Sequence, residues 1–355
     1  MKPCGSLLQN DYKGVFKMKT LKYLNFLENF TFSCFGYTSL FVRIIPTDNC
    51  NLNCSYCYQR KNDVPNMSKD LFIRVLDKAI NLKVGLISFL GGEPMLWEDL
   101  FDAVELCSKH NILTDMTTNG TMLNDVTIQK LGSSGLDFLN ISVDTKDNYS
   151  VSGKNILFDE DIMRTLKSTE KEYGMKLRMN SVIYNNNFED IKLLLALSKE
   201  NNVPLSLGFI VPDMKNNGNK EIYFSEKDTE ILKEIVDYIL KKKKEKYPII
   251  DPDSYFTNVF RFIKNENFWE CNYPTKYGWI NVTANGMIRS CTKKMDETSF
   301  DFLSLTPEKI EVMKKYFETL VKDCNSYCYS NCAYDSSFYK NNKATFILDN
   351  INFLA

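Results

Sequence analysis

Histidine is nearly absent: the 355-residue chain has one, His110. A lone imidazole excludes His-rich metal sites and offers no second partner for acid–base pairing. Basic excess is missing too, since 44 Lys and Arg face 45 Asp and Glu. A formal net charge of −1 gives no electrostatic case for a nucleic-acid partner or an anionic membrane. No apolar run reaches the roughly 18 residues that suggest a membrane-spanning helix. The opening MKPCGSLLQNDYKG lacks a secretory apolar region. There is no phosphate-binding Walker motif, no dinucleotide-binding glycine motif, no internal repeat and no long low-complexity segment. Hydrophobic residues make up 44% of the chain, enough for one large core and a smaller one.

Cysteine is what the chain does have: eleven, an odd number, clustered rather than spread as a disulfide framework. Reduced thiols point to a reducing cytoplasm. Within TDNCNLNCSYCYQR (47–60) the spacing is Cys50-x3-Cys54-x2-Cys57. Three thiolates on one short loop can hold three irons of a [4Fe-4S] cube and leave the fourth open for chemistry. A structural zinc site is the alternative, but it normally closes with a fourth Cys or His nearby, and His110 is far along the chain. Tyr56 precedes the third cysteine, and Gly91-Gly92-Glu93-Pro94 follows the next apolar run. Cys4, Cys34 and Cys107 fall outside every cluster spacing; Cys107, in a helical stretch, reads as a small buried hydrophobe.

With these residues the chain resembles the radical S-adenosylmethionine (SAM) superfamily. The resemblance implies a [4Fe-4S] cluster held by Cys50, Cys54 and Cys57, with SAM chelated at its open iron. It also implies that Tyr56 contacts adenine and that Gly91, Gly92 and Glu93, leading into Pro94, hold the methionine end. Ser142 and Asp144 would approach the ribose and Asn180 the SAM carboxylate, with Lys154 standing where relatives use an arginine.

Apolar, β-rich runs recur at 39–46, 84–90, 112–118, 136–143, 175–183 and 203–211, separated by helix-like stretches near 68–82, 97–110, 124–133, 159–173 and 188–201. Near-continuous apolar strands alternating with helices predict an α/β fold with a parallel sheet covered on its outer face. Six repeats are too few for an eight-stranded barrel, and the resemblance implies the partial (β/α)6 TIM-type barrel. The cysteine loop, GGEP, Thr118-Asn119-Gly120 and Ser142-Val143-Asp144 all follow strand carboxyl ends, where such barrels build active sites. The expected organisation is an N-terminal extension (1–38), the barrel (39–212), linker helices (213–264), an auxiliary Fe-S domain (265–335) and a tail (336–355). A helix is expected from Ser225, capped through Asp228, to about Lys246.

A second constellation comprises Cys271, Cys291, Cys324, Cys328 and Cys332. Strand-like YGWINVT and MIRSC flank Asn285-Gly286, a dipeptide favoured in tight two-residue hairpins. The spacing Cys271-x14-Gly286-x4-Cys291 resembles the opening of the SPASM and twitch auxiliary domains. Too few cysteines remain for two auxiliary clusters, so one auxiliary [4Fe-4S] cluster is expected. Four of the five thiols could close it, or one iron could stay open; structural zinc is the alternative. Tyr327, Tyr329 and Tyr334 crowd these cysteines, but with 19 tyrosines in the chain packing is the default explanation.

The implied activity is reductive cleavage of SAM to a 5′-deoxyadenosyl radical that abstracts a substrate hydrogen, with flavodoxin or ferredoxin as reductant. Oxidative modification or cross-linking of a peptide or protein side chain is the leading expectation. The motif SVDT departs from the SLDG of many peptide maturases, and residues 1–38 are too few for a winged peptide-recognition domain. The competing expectation is an oxidoreductase or carbon-bond-forming enzyme acting on a sugar, nucleoside or lipid precursor. A non-enzymatic Fe-S carrier or zinc-stabilised binding module is a third class; it would have no use for GGEP with Ser142 and Asp144.

Overall fold

The computed structural model describes residues 19–29, 41–57, 59, 63–147, 151–210, 222–264, 266, 268, 271, 279–291, 297–322, 328–331 and 333–334. Strands β1 (Phe41–Ile44), β2 (Leu86–Phe89), β3 (Leu113–Thr118), β4 (Phe138–Ser142), β5 (Lys176–Ile183) and β6 (Leu205–Phe209) pair in sequence order, all parallel. Helices lie between them: α2 (Lys69–Asn81), α3 (Leu100–Lys109), α4 (Asp125–Ser133), α5 (Glu160–Tyr173) and α6 (Phe188–Asn201). This is the parallel α/β sheet that the strand–helix pattern predicts and the partial TIM-type barrel that the resemblance implies, with α1 (19–29) preceding β1.

Local chemistry sets the helix boundaries. Ser68 caps α2 by accepting from Leu71 N–H, and Phe72, Val75, Leu76 and Ala79 recur at helical spacing on its buried face. Asn124 and Thr127 exchange hydrogen bonds at the start of α4. Left-handed Gly174 ends α5. The Asp228 carboxylate accepts from both the N–H and the hydroxyl of Ser225, but one 3-10 turn intervenes before α7 (Thr229–Lys244), which ends two residues before the expected Lys246.

Each strand presents two faces. Val42, Ile44, Ile87, Phe89, Met116, Leu139, Ile141, Leu177 and Met179 enter the large core shared with the helices. Their neighbours face the barrel lumen: Phe41, Leu86, Leu113 and Phe138 form its apolar floor with Phe26 and Tyr23 of α1. One layer higher the lumen turns polar, and Asp115 accepts from the Ser88 hydroxyl and the Asn140 amide. Helix α1 is fastened below by Lys22, whose ammonium donates to Asp137 Oδ2 and Gly135 O, each at 2.7 Å; both Lys22 and Asp137 are buried.

The sheet does not end at β1. Strand β7 (Trp279–Val282) pairs parallel with β1, and β8 (Met287–Arg289) and β9 (Glu297–Asp301) follow antiparallel, giving one sheet of nine strands among the described residues. The described strands of the expected auxiliary region therefore continue the barrel sheet. Trp279 stacks on Phe41, ring centroids 4.7 Å apart. The β7–β8 turn corrects the expected two-residue hairpin. Thr283 and Met287 bracket three residues, Gly286 N–H closes on Thr283 O at 2.9 Å, and only Gly286 takes a positive φ, 84°. A primed two-residue turn at Asn285-Gly286 needs positive φ at both positions, whereas a three-residue loop needs it only at the last. Helices α8 (Asp253–Ile263) and α9 (Pro307–Lys322) flank this hairpin in the chain.

Two outcomes are expected. Asp137→Ala strands a buried ammonium and lowers unfolding free energy by about 3 kcal/mol or more in urea titration. Burial lowers Lys19 from 10.5 to about 8, so the folded state sheds this proton before the unfolded chain does. The stability of wild type relative to Lys19→Met should therefore rise as pH climbs from about 8 to 10.5. A flat difference across that window would remove the effect.

Candidate functional site

The site begins where β1 stops. Residues 47–49 are seated backbone to backbone against the loop after β2: Gly92 N–H donates to Thr47 O at 3.0 Å and Glu93 N–H to Asn49 O at 2.8 Å. A Cβ on Gly91 would lie 2.2 Å from Thr47 O, and one on Gly92 would lie 2.1 Å from Asn49 O. No side chain fits either position. The close approach that requires these glycines is thus to the chain's own cysteine loop. Asn49 is pinned on its other side, donating to Val64 O at 2.8 Å and accepting from Val64 N–H at 3.2 Å.

From this seat the loop presents Cys50, Cys54 and Cys57, all half-buried. Leu52 N–H and the Asn119 amide approach Cys50 Sγ at 3.5 and 3.7 Å, donors of the kind that stabilise negative sulfur. Burial nevertheless pushes the Cys50 thiol up, with the two donors opposing it. Cys54 Sγ lies 3.8 Å from Ser152 Oγ, and Cys57 N–H closes a turn on Cys54 O at 3.0 Å. Among the described residues no three Cys, His, Asp or Glu side chains converge as a preformed metal set. The donor chemistry fits an iron–sulfur cluster: three thiols on one loop, two N–H donors on a ligand sulfur, and no fourth cysteine in the loop.

Glu93 is fully buried. One carboxylate oxygen accepts from Thr118 Oγ at 2.7 Å and Met95 N–H at 3.1 Å, the other from Asn119 N–H at 2.7 Å. Burial raises its pKa against those donors. Glu93 thereby ties the end of β2 to the end of β3, and Pro94 opens a short 3-10 turn that the same carboxylate caps. Asn119 carries the tie onward to Cys50 and, at 2.8 Å, to Asn51 Oδ1.

Tyr56 and Asp144 form a second linked group. The Tyr56 hydroxyl donates to Asp144 Oδ2, which also accepts from Ser152 Oγ at 2.8 Å, while Oδ1 accepts from Val182 N–H at 3.2 Å. Lys154 Nζ donates to Tyr56 Oη at 2.8 Å and lies 3.6 Å from Asp144 Oδ2. Burial, then the Asp144 carboxylate, lift the Tyr56 phenol well above its usual range. For Lys154 burial acts downward, but Tyr56 and Asp144 outweigh it and hold the ammonium charged. Ser142 and Asn180 sit side by side in register across β4 and β5 on the lumen face, both half-buried.

Of the second constellation, Cys271, Cys291 and Cys328 are half-buried, while Cys324 and Cys332 lie outside the described residues. Tyr329, beside Cys328, is clasped between Tyr255 and Phe262, stacked at 4.9 and 5.0 Å, and it exchanges hydrogen bonds with Tyr255. Tyr329 and Tyr334 thus pack, as the default reading holds, and fix the Cys328 segment on α8. Cys107 is buried with its thiol pushed up to about 12, and His110 ends α3.

Residues 44–198, which carry this arrangement, match the family model described as the radical SAM superfamily. Those residues form a radical SAM domain. Among curated proteins, this radical SAM chain is similar to the GTP 3′,8-cyclase of Clostridium botulinum (strain Langeland), 28% identical over 299 residues covering 79% of this chain and 89% of that relative. Among solved structures it is similar to Streptococcus suis SuiB bound to precursor peptide SuiA, with a TM-score of 0.60 and 19% identity over 78% of this chain. It spans 65% of the length of SuiB. It is also similar to anSMEcpe with bound AdoMet, with a TM-score of 0.60 and 18% identity over 88% of this chain and 97% of that one. At such identities the structural likeness is one of fold.

Sequence reasoning missed Asn119 and Ser152 as residues touching cysteine sulfur, and it missed Asp48 and Arg289, which meet in a buried ion pair. Thr118-Asn119-Gly120 did carry a signal, its position at a strand end alongside the other motifs. For Gly92→Ala, overlap with Asn49 should lower stability by about 2 kcal/mol in urea titration, with reduced iron uptake on anaerobic reconstitution. Wild-type stability in this variant would show that the seat tolerates a side chain.

Proposed function

We propose that this radical SAM enzyme carries out oxidative modification or cross-linking of a peptide or protein side chain, using one auxiliary [4Fe-4S] cluster as electron acceptor. When bound, the first cluster and SAM supply a 5′-deoxyadenosyl radical that takes a hydrogen atom from the substrate. Cys50, Cys54 and Cys57 would ligate that cluster, while Asn119 and Leu52 N–H temper the charge on Cys50 sulfur. Tyr56, held by Asp144 and Lys154, would present its ring to the adenine, and the 91–94 loop would meet the methionine end. Ser142 and Asn180, side by side on the lumen wall, would meet the ribose and the carboxylate.

One observation carries the oxidative reading. Strand β7 runs parallel to β1 and β8 returns antiparallel, so Cys291 lies toward the amino end of β1 while Cys50, Cys54 and Cys57 follow its carboxyl end. A substrate radical made near Cys50, Cys54 and Cys57 would then pass its electron to the cluster proposed at the Cys291 end. Cys271, Cys291 and thiols of the trio Cys324, Cys328 and Cys332 would hold that cluster. The peptide-bound state named for SuiB supports a peptide substrate. A second reading, a small-molecule reaction on a nucleotide or related precursor, is favoured by sequence similarity over 89% of a GTP 3′,8-cyclase. Among the described residues no helix is long and apolar enough to cross a membrane; a cytoplasmic site with flavodoxin or ferredoxin as reductant suits the chemistry.

Anaerobically reconstituted protein should hold about eight irons as two cubes and release 5′-deoxyadenosine from SAM under strong reductant. Cys54→Ala should abolish that release, whereas Cys291→Ala should lose about half the iron and keep uncoupled cleavage. A colourless zinc protein, or a coloured one that never cleaves SAM, would overturn the enzyme reading. Unchanged iron in Cys291→Ala would overturn the auxiliary cluster alone. Product mass separates the substrate readings: loss of hydrogen from a peptide supports the first, and a product isomeric with a nucleotide the second.

A further inference from the structure

Asp48 and Arg289 stand 241 positions apart in the chain, yet they meet fork to fork: Nη1 donates to Oδ1 at 3.1 Å and Nη2 to Oδ2 at 2.7 Å. Both side chains are buried, Arg289 almost completely. Asp48 lies two residues before Cys50 and Arg289 two before Cys291. The strands carrying these cysteines point them toward opposite ends of β1, and the long arginine side chain covers the gap between.

The surroundings make the pair a joint. Thr47 and Asn49, on either side of Asp48, are already held by the 91–93 loop, so the carboxylate has little freedom to follow a moving partner. Arg289 is held at its backbone, where its carbonyl accepts from Asn281 Nδ2 at 3.2 Å. Asn281 in turn stands in register with Arg43 of β1. A planar fork with two parallel charged bonds fixes angle as well as distance, which a single ammonium cannot do. A buried pair of this kind lacks water to take over if one partner withdraws.

We propose that Arg289 is a positioning residue for the catalytic cysteine loop: acting through Asp48, it locks that loop to the strand ending in Cys291, so that order at either cysteine site is transmitted to the other. The reciprocal effect is required by linkage, since whatever the loop gains from the hairpin the hairpin gains from the loop. The inference rests on the radical SAM assignment of Cys50, Cys54 and Cys57, and on the proposed role of Cys291.

The test is amide hydrogen exchange on the full-length chain under anaerobic conditions, iron-free and reconstituted, for wild type, Asp48→Asn, Arg289→Met and the double variant. Each single substitution should speed exchange by about tenfold or more in both segments 47–57 and 287–291, and the double should match a single one rather than multiply them. Strands β3 to β6 should keep wild-type protection. Cluster loading should increase protection of 287–291 in wild type more than in the variants. Arg289→Lys, which keeps charge without the fork, replaces Arg289→Met if the latter does not fold; at full iron content it should alter the electron paramagnetic resonance signal of the SAM-bound reduced cluster. Exchange changes confined to the substituted segment, multiplicative effects in the double variant, uniform loss of protection, or an unaltered signal in Arg289→Lys would each overturn the proposal. Failure of wild type to take up iron or cleave SAM would instead defeat the functional reading, while the iron-free exchange cycle would still decide whether the two segments are coupled.

Discussion

The seat of residues 47–49 against residues 91–93 is the constraint on which the rest of the site depends. Its contacts are between backbones, so its geometry is fixed by the absence of side chains at Gly91 and Gly92 and leaves no rotamer to adjust. The loop bearing Cys50, Cys54 and Cys57 starts from this seat, and Glu93 extends it through Thr118 and Asn119 to the next strand end. Three consecutive strand ends are thereby joined before any cofactor is considered. That is a means of pre-organisation: a short ligand-bearing loop is tethered at its base, and its tip is left to the chemistry.

Around that seat the parallel sheet divides labour between its faces. The outward face is aliphatic and aromatic and supplies most of the core. The inward face is graded, apolar where α1 closes the amino end and polar toward the cysteine loop. Because β7 adds to the free side of β1, the carboxyl-terminal hairpin joins this lumen as a further wall. Its cysteine is then held by the same sheet as the first three, and a single arginine fork crosses from one to the other.

Much of this was legible beforehand because parallel barrels repeat. The six strand positions could be read because each is a short apolar run between stretches of helical period, and the helix limits because Ser68, Asn124 and Gly174 are chemical punctuation. The hairpin was legible in position but not in type: Asn285-Gly286 permits two turn geometries, and the pairing of Thr283 with Met287 chose the longer. The two glycines were expected to hold the methionine end of SAM; the partner of their close approach, the carbonyls of Thr47 and Asn49, lies more than forty residues back in the chain and has no local signature.

The sequence by itself determined the class of chemistry, because three cysteines at fixed spacing, an aromatic beside the third and GGEP at a strand end are local patterns whose meaning survives without coordinates. It also determined the alternation of strands and helices, since a residue's hydrophobic period is written in its neighbours. Only the tertiary structure decided that Asn119 meets Cys50, that Asp144 is committed to Tyr56, and that Asp48 meets Arg289. These are pairings between side chains far apart in sequence whose types are common, so composition cannot select among the possible partners; the register of strands in one sheet selects them, by bringing particular strand ends within hydrogen-bonding reach.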